Sequence, residues 1–221
     1  MTTASGLIVR NLTKTVKDIK IFESAQLYVE NGQIVHLGGE NGVGKTTFLR
    51  CVAGYESFEE GDIFILGYDL KKIRRELLRE LICFVPSNDF SFCDLLTPRE
   101  YFLFVRNFFQ KSYGHNKEKE LVDRLCLESH LDKQISRLSF GTKKKVVFLA
   151  ALLAQPCLLV CDEIFEGLDS NSVEEIKKII LERKKMGGMT LFTTHIKEVA
   201  SNIIDHFYVI EKREILSLNN N

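Results

Sequence analysis

Gly39-Glu40-Asn41-Gly42-Val43-Gly44-Lys45-Thr46 matches the pattern GxxxxGK[ST] at every fixed position. It lies between an apolar stretch, QIVHLG, and a helix-like stretch, KTTFLRCVAG. That strand–loop–helix context is what the pattern needs to hold phosphate. The glycines let successive backbone N–H groups turn toward phosphate oxygens, and the helix N-terminus adds its dipole. Lys45 would set its charge on the β- and γ-phosphates of a nucleotide, and Thr46 would offer a hydroxyl to Mg²⁺. Thr47 completes the nucleotide-facing set. A chance match would leave only a glycine-rich turn, and the complete motif in the right context argues against one.

The second chemical stretch is CLLVCDE, an apolar strand ending in Asp162 and Glu163. A buried strand delivers its last side chains to the carboxyl edge of an open α/β sheet, where ligands bind. There Asp162 would hold Mg²⁺, directly or through water, and Glu163 would polarise an attacking water. Alone, two carboxylates leaving a strand read equally well as a solvated pair. Their value comes from accompanying a complete phosphate loop.

These residues need a framework. GLIVRNLT, IKIFESAQLYV, GQIVHLGG and GDIFILG read as strands bounded by turn residues. KTTFLRCVAG reads as a helix closed by Gly54, and IRRELLRELICFV runs from helix into strand. TPREYFLFVRNFF, NKEKELVDRLCL and FGTKKKVVFLAALLA have helical periodicity, with the polar link QKSYGHNK between the first two. Then come CLLVCD, SVEEIKKIILERKK, MTLFTTH, IKEVASNII, HFYVIEK and EILSL, again alternating between strand and helix. Such alternation predicts an α/β fold with a mainly parallel sheet covered by helices, interrupted by a helical insertion.

The chain has 221 residues, 45% of them apolar, enough for one domain with a packed core. Thirty basic residues balance thirty acidic ones, so no positive field favours nucleic acid. The basic runs KKIRRELLRE and TKKK read as solvated helix faces. Six cysteines occur without a CxxC pair, several inside apolar runs, which predicts reduced thiols in a cytosolic protein and no zinc site. No secretory segment is visible in MTTASGLIVRNL. No apolar run reaches the ~18 residues that span a bilayer.

Taken together, GENGVGKTT, LSFGTKKK, CLLVCDE, EGLD and TTH stand in the order and at the separations of the ATP-binding subunits of ABC transporters, and the chain resembles that family over nearly its whole length. The resemblance implies a P-loop NTPase (RecA-like) core with an N-terminal antiparallel β subdomain and an inserted helical subdomain. As one domain over 1–221, it would have its core at 1–86 and 150–215 and the insertion at about 87–149. It implies that LSFGTKKK is the signature motif. Ser139, Phe140 and Gly141 would then face the ATP of a second subunit in a head-to-tail homodimer. Ser139 would supply a hydroxyl and Gly141 a close backbone approach at a helix N-terminus. By itself LSFGT would read as a helix capped by Ser139. Asp169 in EGLD matches the loop that contacts the opposite subunit. His195 in TTH matches the switch histidine that contacts the γ-phosphate. The implied activity is hydrolysis of Mg²⁺-ATP, with Lys45, Glu163 and His195 as the catalytic group, powering a separate transmembrane permease from the inner membrane face. DLLTPREYFLFVRNFF, GTKKKVVFLAALL and DEIFEGLD further resemble bacterial two-component exporters of drugs, antibiotics and lantibiotics.

Several positions depart from the family. Ser87 stands where a glutamine reaches Mg²⁺ and links to the permease, and serine is too short to reach as far. Val16 stands where an aromatic residue stacks on adenine. Phe140 replaces the central glycine of the signature, and Ile164 the proline after the acidic pair. These departures keep open a nucleotide-gated regulatory subunit with little turnover. A non-transport ABC ATPase of chromosomes or ribosomes is a weaker alternative, because the chain has neither a coiled-coil insertion nor a second cassette. A P-loop kinase would leave the signature and His195 without a role.

Overall fold

A computed structural model describes residues 6–110, 115–196 and 201–218. The chain opens with β1 (Gly6–Val16), β2 (Ile19–Glu30) and β3 (Ile34–Gly39), followed by α1 (Lys45–Val52). After β4 (Glu60–Ile65) and β5 (Tyr68–Asp69) come α2 (Arg75–Leu81) and β6 (Ile82–Val85). Three helices follow: α3 (Pro98–Phe109), α4 (His115–Arg124) and α5 (Phe140–Leu153). The chain then forms β7 (Leu158–Cys161), α6 (Ser170–Lys185), β8 (Met189–Phe192), β9 (His206–Glu211) and β10 (Glu214–Leu218). Of the helix expected over IKEVASNII (residues 196–204), residues 197–200 lie outside the described residues and 201–203 form a turn, not a helix. Part of the link QKSYGHNK falls on 111–114, which also lie outside the described residues.

The strands make two sheets, ordered β2-β1-β4-β5 and β10-β9-β3-β8-β7-β6. The first is antiparallel throughout. In the second, β9, β3, β8, β7 and β6 run parallel, and β10 closes one edge as an antiparallel hairpin with β9. The carboxyl ends of β3, β8, β7 and β6 therefore meet at one edge. Strands β7 and β8 are buried at every position. That follows from their continuous apolar sequences, since a parallel sheet is covered on both faces.

Alternate side chains feed two cores. Val35, Leu37, Leu158 and Val160 pack with Phe22 and Phe48 under the antiparallel sheet. Ile34, Leu159, Cys161 and Phe192 pack with Phe102, Leu121 and Phe148 from α3, α4 and α5. Helix α5 runs through the second core, and every residue from Lys144 to Leu153 is buried. This corrects the reading of TKKK as a solvated face. Lys144 is fully buried and Lys145 only 9% exposed, because the helix is covered on all sides and not along one stripe. The run in α2 does lie largely at the surface.

Candidate nucleotide site

The phosphate loop leaves β3 in the middle of the parallel sheet. Gly39, Gly42 and Gly44 all have positive φ, at 140°, 79° and 110°, conformations that side-chain-bearing residues rarely adopt. At Gly44 there is also no room. A Cβ would lie 2.2 Å from Cγ2 of Ile21, so the β1–β2 hairpin presses on the loop. Helix α1 starts at Lys45 and is fixed by its apolar face, Phe48 packing edge-on against Phe22 with centroids 5.6 Å apart. Asn41 and Gly42 stay exposed at the tip, with Val43 half-buried. Lys45 is nearly buried, and its Nζ donates to the carbonyl oxygens of Gly39 (2.9 Å) and Glu40 (3.1 Å). Its ammonium is thus held over the loop.

A chain of hydrogen bonds joins this loop to the next strands. Oγ1 of Thr46 donates to Oδ2 of Asp162 at 2.7 Å. Oγ1 of Thr193 donates to Oδ1 of Asp162 at 2.8 Å and itself accepts from the backbone N–H of Glu163 at 2.8 Å. Nε2 of His195 lies 3.1 Å from Oε1 of Glu163. The other carboxyl oxygen, Oε2, is buried with no hydrogen-bond partner among the described residues. Burial pushes the Glu163 carboxyl above its usual range, while His195 and Lys45 pull it back. An orphaned acceptor of this kind suits a group that is to meet water or a ligand.

Thr46 and Asp162 offer a hydroxyl and a carboxylate, the hard oxygen donors that Mg²⁺ takes. Asp162 is only 1% exposed, so its charge needs a partner. The residues therefore fit the ion. Ser87 is half-buried just beyond β6, at the same sheet edge.

The signature residues form a second group. Ser139 caps α5, its Oγ accepting from the N–H of Thr142 at 3.3 Å and lying 2.8 Å from the Thr142 hydroxyl. A Cβ on Gly141 would come 2.4 Å from the carbonyl oxygen of Gly167. Phe140 is 40% exposed, and its ring covers Gly167 and tilts against Phe90. Asp169, exposed, caps α6 by accepting from Ser172 N–H and Oγ, bonds that hold its carboxyl below the usual range. The helix start thus rests on the EGLD loop of its own chain. No hydrogen bond joins residues 139–141 to residues 39–47 among the described residues.

Two departures acquire physical reasons. The N–H of Ile164 donates to the carbonyl of Thr193 at 3.2 Å, a bond that proline cannot make. Val16, 38% exposed at the end of β1, and Ile19, 63% exposed, give the hairpin above the loop an aliphatic surface in place of a ring. Thr193 and Lys144 were not singled out from sequence. Thr193 sits within TTH, next to a residue that was. Lys144 lies inside a run of three lysines that gives no sign of which one is buried.

A family model described as "ABC transporter" matches residues 22–166. The chain is 32% identical to the methionine import ATP-binding protein MetN of Pasteurella multocida over 90% of its own length and 60% of that protein's. It is 29% identical to MetN of Clostridium acetobutylicum, covering 92% of this chain and 65% of the relative. It is 27% identical to the putative ABC transporter ATP-binding protein AlbC of Bacillus subtilis, with coverages of 90% and 84%. The chain thus spans about two thirds of the length of the MetN relatives and more of AlbC. A solved ATP-binding subunit of an ABC transporter superposes with a TM-score of 0.87 at 26% identity, covering 97% of this chain and 90% of that one. A dimeric bacterial ABC transporter cassette superposes at 0.83 with 22% identity, covering 97% of this chain and all of the other, which shows the shared fold. The protein belongs to the ABC transporter family, as an ATP-binding cassette of its ATPase class.

Proposed function

We propose that this chain binds Mg²⁺-ATP, hydrolyses it, and drives a separate transmembrane permease from the cytoplasmic face. The observation that carries this reading is the unbroken line from Thr46 through Asp162 and Thr193 to Glu163 and His195, beside Lys45. Lys45 and the loop N–H groups bind the phosphates. Thr46 and Asp162 would hold a Mg²⁺, which would neutralise charge on the phosphate oxygens. Glu163 accepts a hydrogen bond from the attacking water and orients it. His195 holds that carboxylate at 3.1 Å and would contact the γ-phosphate of a bound nucleotide. Catalysis is then positioning plus electrostatic stabilisation.

A permease is the partner supported by the surface beside Ser87. A groove of about 660 Å³ runs between β6 and α3, lined by Cys83, Phe84, Pro86, Phe92, Phe104 and Phe108. Phe92, Phe104 and Phe108 are each at least half exposed, and exposed apolar surface of this kind marks an interaction site. The described residues contain no helix long and apolar enough to cross a membrane. The same reading treats residues 1–86 and 150–215 as the catalytic core and about 87–149 as the helical insertion. For direction we favour export, on the exporter-like sequences around α3 and α5, although relatives named for methionine and Fe(3+) import match comparably.

Glu163→Gln should lower Mg²⁺-ATP turnover by about 10²–10⁴-fold, the span of a positioned general base, while leaving ATP affinity near that of the parent. Phosphate release under saturating ATP measures it. Parental turnover in this variant would remove Glu163 from the reaction.

A further inference from the structure

Lys144 is a fully buried cation whose one ion pair among the described residues is a long one, to Glu166. Its Nζ donates to the carbonyl oxygens of Glu163 (2.8 Å) and Glu166 (3.1 Å) and sits 4.7 Å from the centroid of the Phe140 ring. The nearest carboxylate oxygen, on the half-exposed Glu166, is 3.9 Å away. Burial pushes this ammonium below its usual range, against the pull of Glu166, Glu163 and Asp162. Burying a lysine on two carbonyls and a ring costs more than burying an aliphatic side chain of the same length. Its place in the fold says what the cost sustains.

The two carbonyls belong to the turn that presents Glu163. Glu163 has φ 49°, the left-handed region that costs a non-glycine residue about 1 kcal/mol or more. The turn is also held by the Glu166 N–H to the Glu163 carbonyl (3.1 Å), the Ile164 N–H to the Thr193 carbonyl (3.2 Å) and the Glu163 N–H to Oγ1 of Thr193 (2.8 Å). Lys144 adds two charge-assisted hydrogen bonds to it from one ammonium. Three residues earlier, Gly141 abuts the carbonyl of Gly167. The first turn of α5 therefore grips residues 163–167 at both ends.

We propose that Lys144 is a positioning residue for hydrolysis: it pins the Glu163–Glu166 turn, so that the helix start facing a partner's nucleotide also sets the carboxylate of its own chain. The proposal rests on the hydrolytic reading given above and assigns that site a further residue. A shift of Phe140 or Gly141 on meeting a second subunit would be passed to Glu163 through Lys144 over one helical turn.

Lys144→Met keeps the length and removes the donors. We expect saturated turnover to fall about tenfold to a hundredfold, the effect of a small misplacement of a reacting group, with KM for ATP within about threefold of the parent. Lys144→Arg, which can again reach both carbonyls, should recover most of the loss. It also serves as the test variant should the methionine variant fail to fold, with turnover then near the parent's. Amide hydrogen exchange in the ligand-free protein gives a readout independent of chemistry. Residues 163–168 should exchange at least about tenfold faster in Lys144→Met, with the phosphate loop unchanged. Unchanged exchange there, or parental turnover in Lys144→Met, overturns the positioning role. An inactive parent whose 163–168 segment still loosens in Lys144→Met would overturn hydrolysis and leave the clamp standing.

Discussion

Val16 shows how one side chain sets a physical limit on the site. The hairpin that carries it lies against the phosphate loop, close enough that Gly44 has no room for a Cβ beside Ile21. A base held there would meet aliphatic surface, and a ring in the same place would add about 1 kcal/mol or more of stacking. Val16→Tyr should therefore tighten ATP binding to the Glu163→Gln protein by about fivefold or more, the factor that such a stacking energy implies. Titration calorimetry would show it, and unchanged affinity would mean that the base sits elsewhere. At this scale much was legible in the sequence. Lys45, Thr46, Asp162 and Glu163 can be picked out because phosphate and Mg²⁺ demand particular groups at particular spacings. Thr193 and Lys144 escaped because their roles come from what lies across the fold. A hydroxyl among threonines and one lysine among three carry no mark of their partners.

Among the elements, α4 and α6 share an apolar core and are also bridged by charge. Arg124 reaches Glu175 at 3.0 Å and Glu182 at 2.9 Å across the helix pair, and Glu120 at 3.3 Å on its own helix. The Glu175 carboxyl is held below its usual range, first by Lys178 and then by Arg124. Its folded value is thus the lower one. The pairing contributes stability above the ordinary carboxylate range and loses it as pH falls through the depressed value. Arg124→Met should cost about 1 kcal/mol near neutral pH, or about 2–4 °C in Tm. That gap should shrink as the pH approaches ~3, where the carboxylates are protonated. A gap of constant size across the range would mean that the side chain acts by packing alone. The long elements were readable, since period and caps agree. Thr97, for example, forms a full capping box with Glu100 at the start of α3. Short helical turns such as Ser91–Cys93 and Ile135–Arg137 were not. Three residues carry no period, and only their tertiary neighbours define them. The all-round burial of α5 was equally hidden, because a helix covered on every side shows no polar stripe.

In the whole molecule the phosphate loop lies at the carboxyl edge of the parallel sheet and the Ser139–Gly141 helix start rests on the EGLD loop, with no hydrogen bond between the two among the described residues. On the proposed function, two copies arranged head to tail would bring the two together. The mass in solution of Glu163→Gln should therefore double with Mg²⁺-ATP and remain that of one chain without it. Ser139→Ala or Lys45→Ala should prevent the doubling. Light scattering behind a sizing column would decide, and a single-chain mass at saturating ATP would mean that closure needs another component. The order of motifs made this separation foreseeable, because a phosphate loop and a capped helix start so far apart in sequence suggest two faces. The groove by β6 was not foreseeable, since its phenylalanines read equally well as core. That groove has a consequence for the cell's economy of subunits. A copy made in excess of whatever covers Phe92, Phe104 and Phe108 displays them to chaperones, proteases and its own neighbours. Its steady-state abundance would then follow the supply of its partner more closely than its own rate of synthesis.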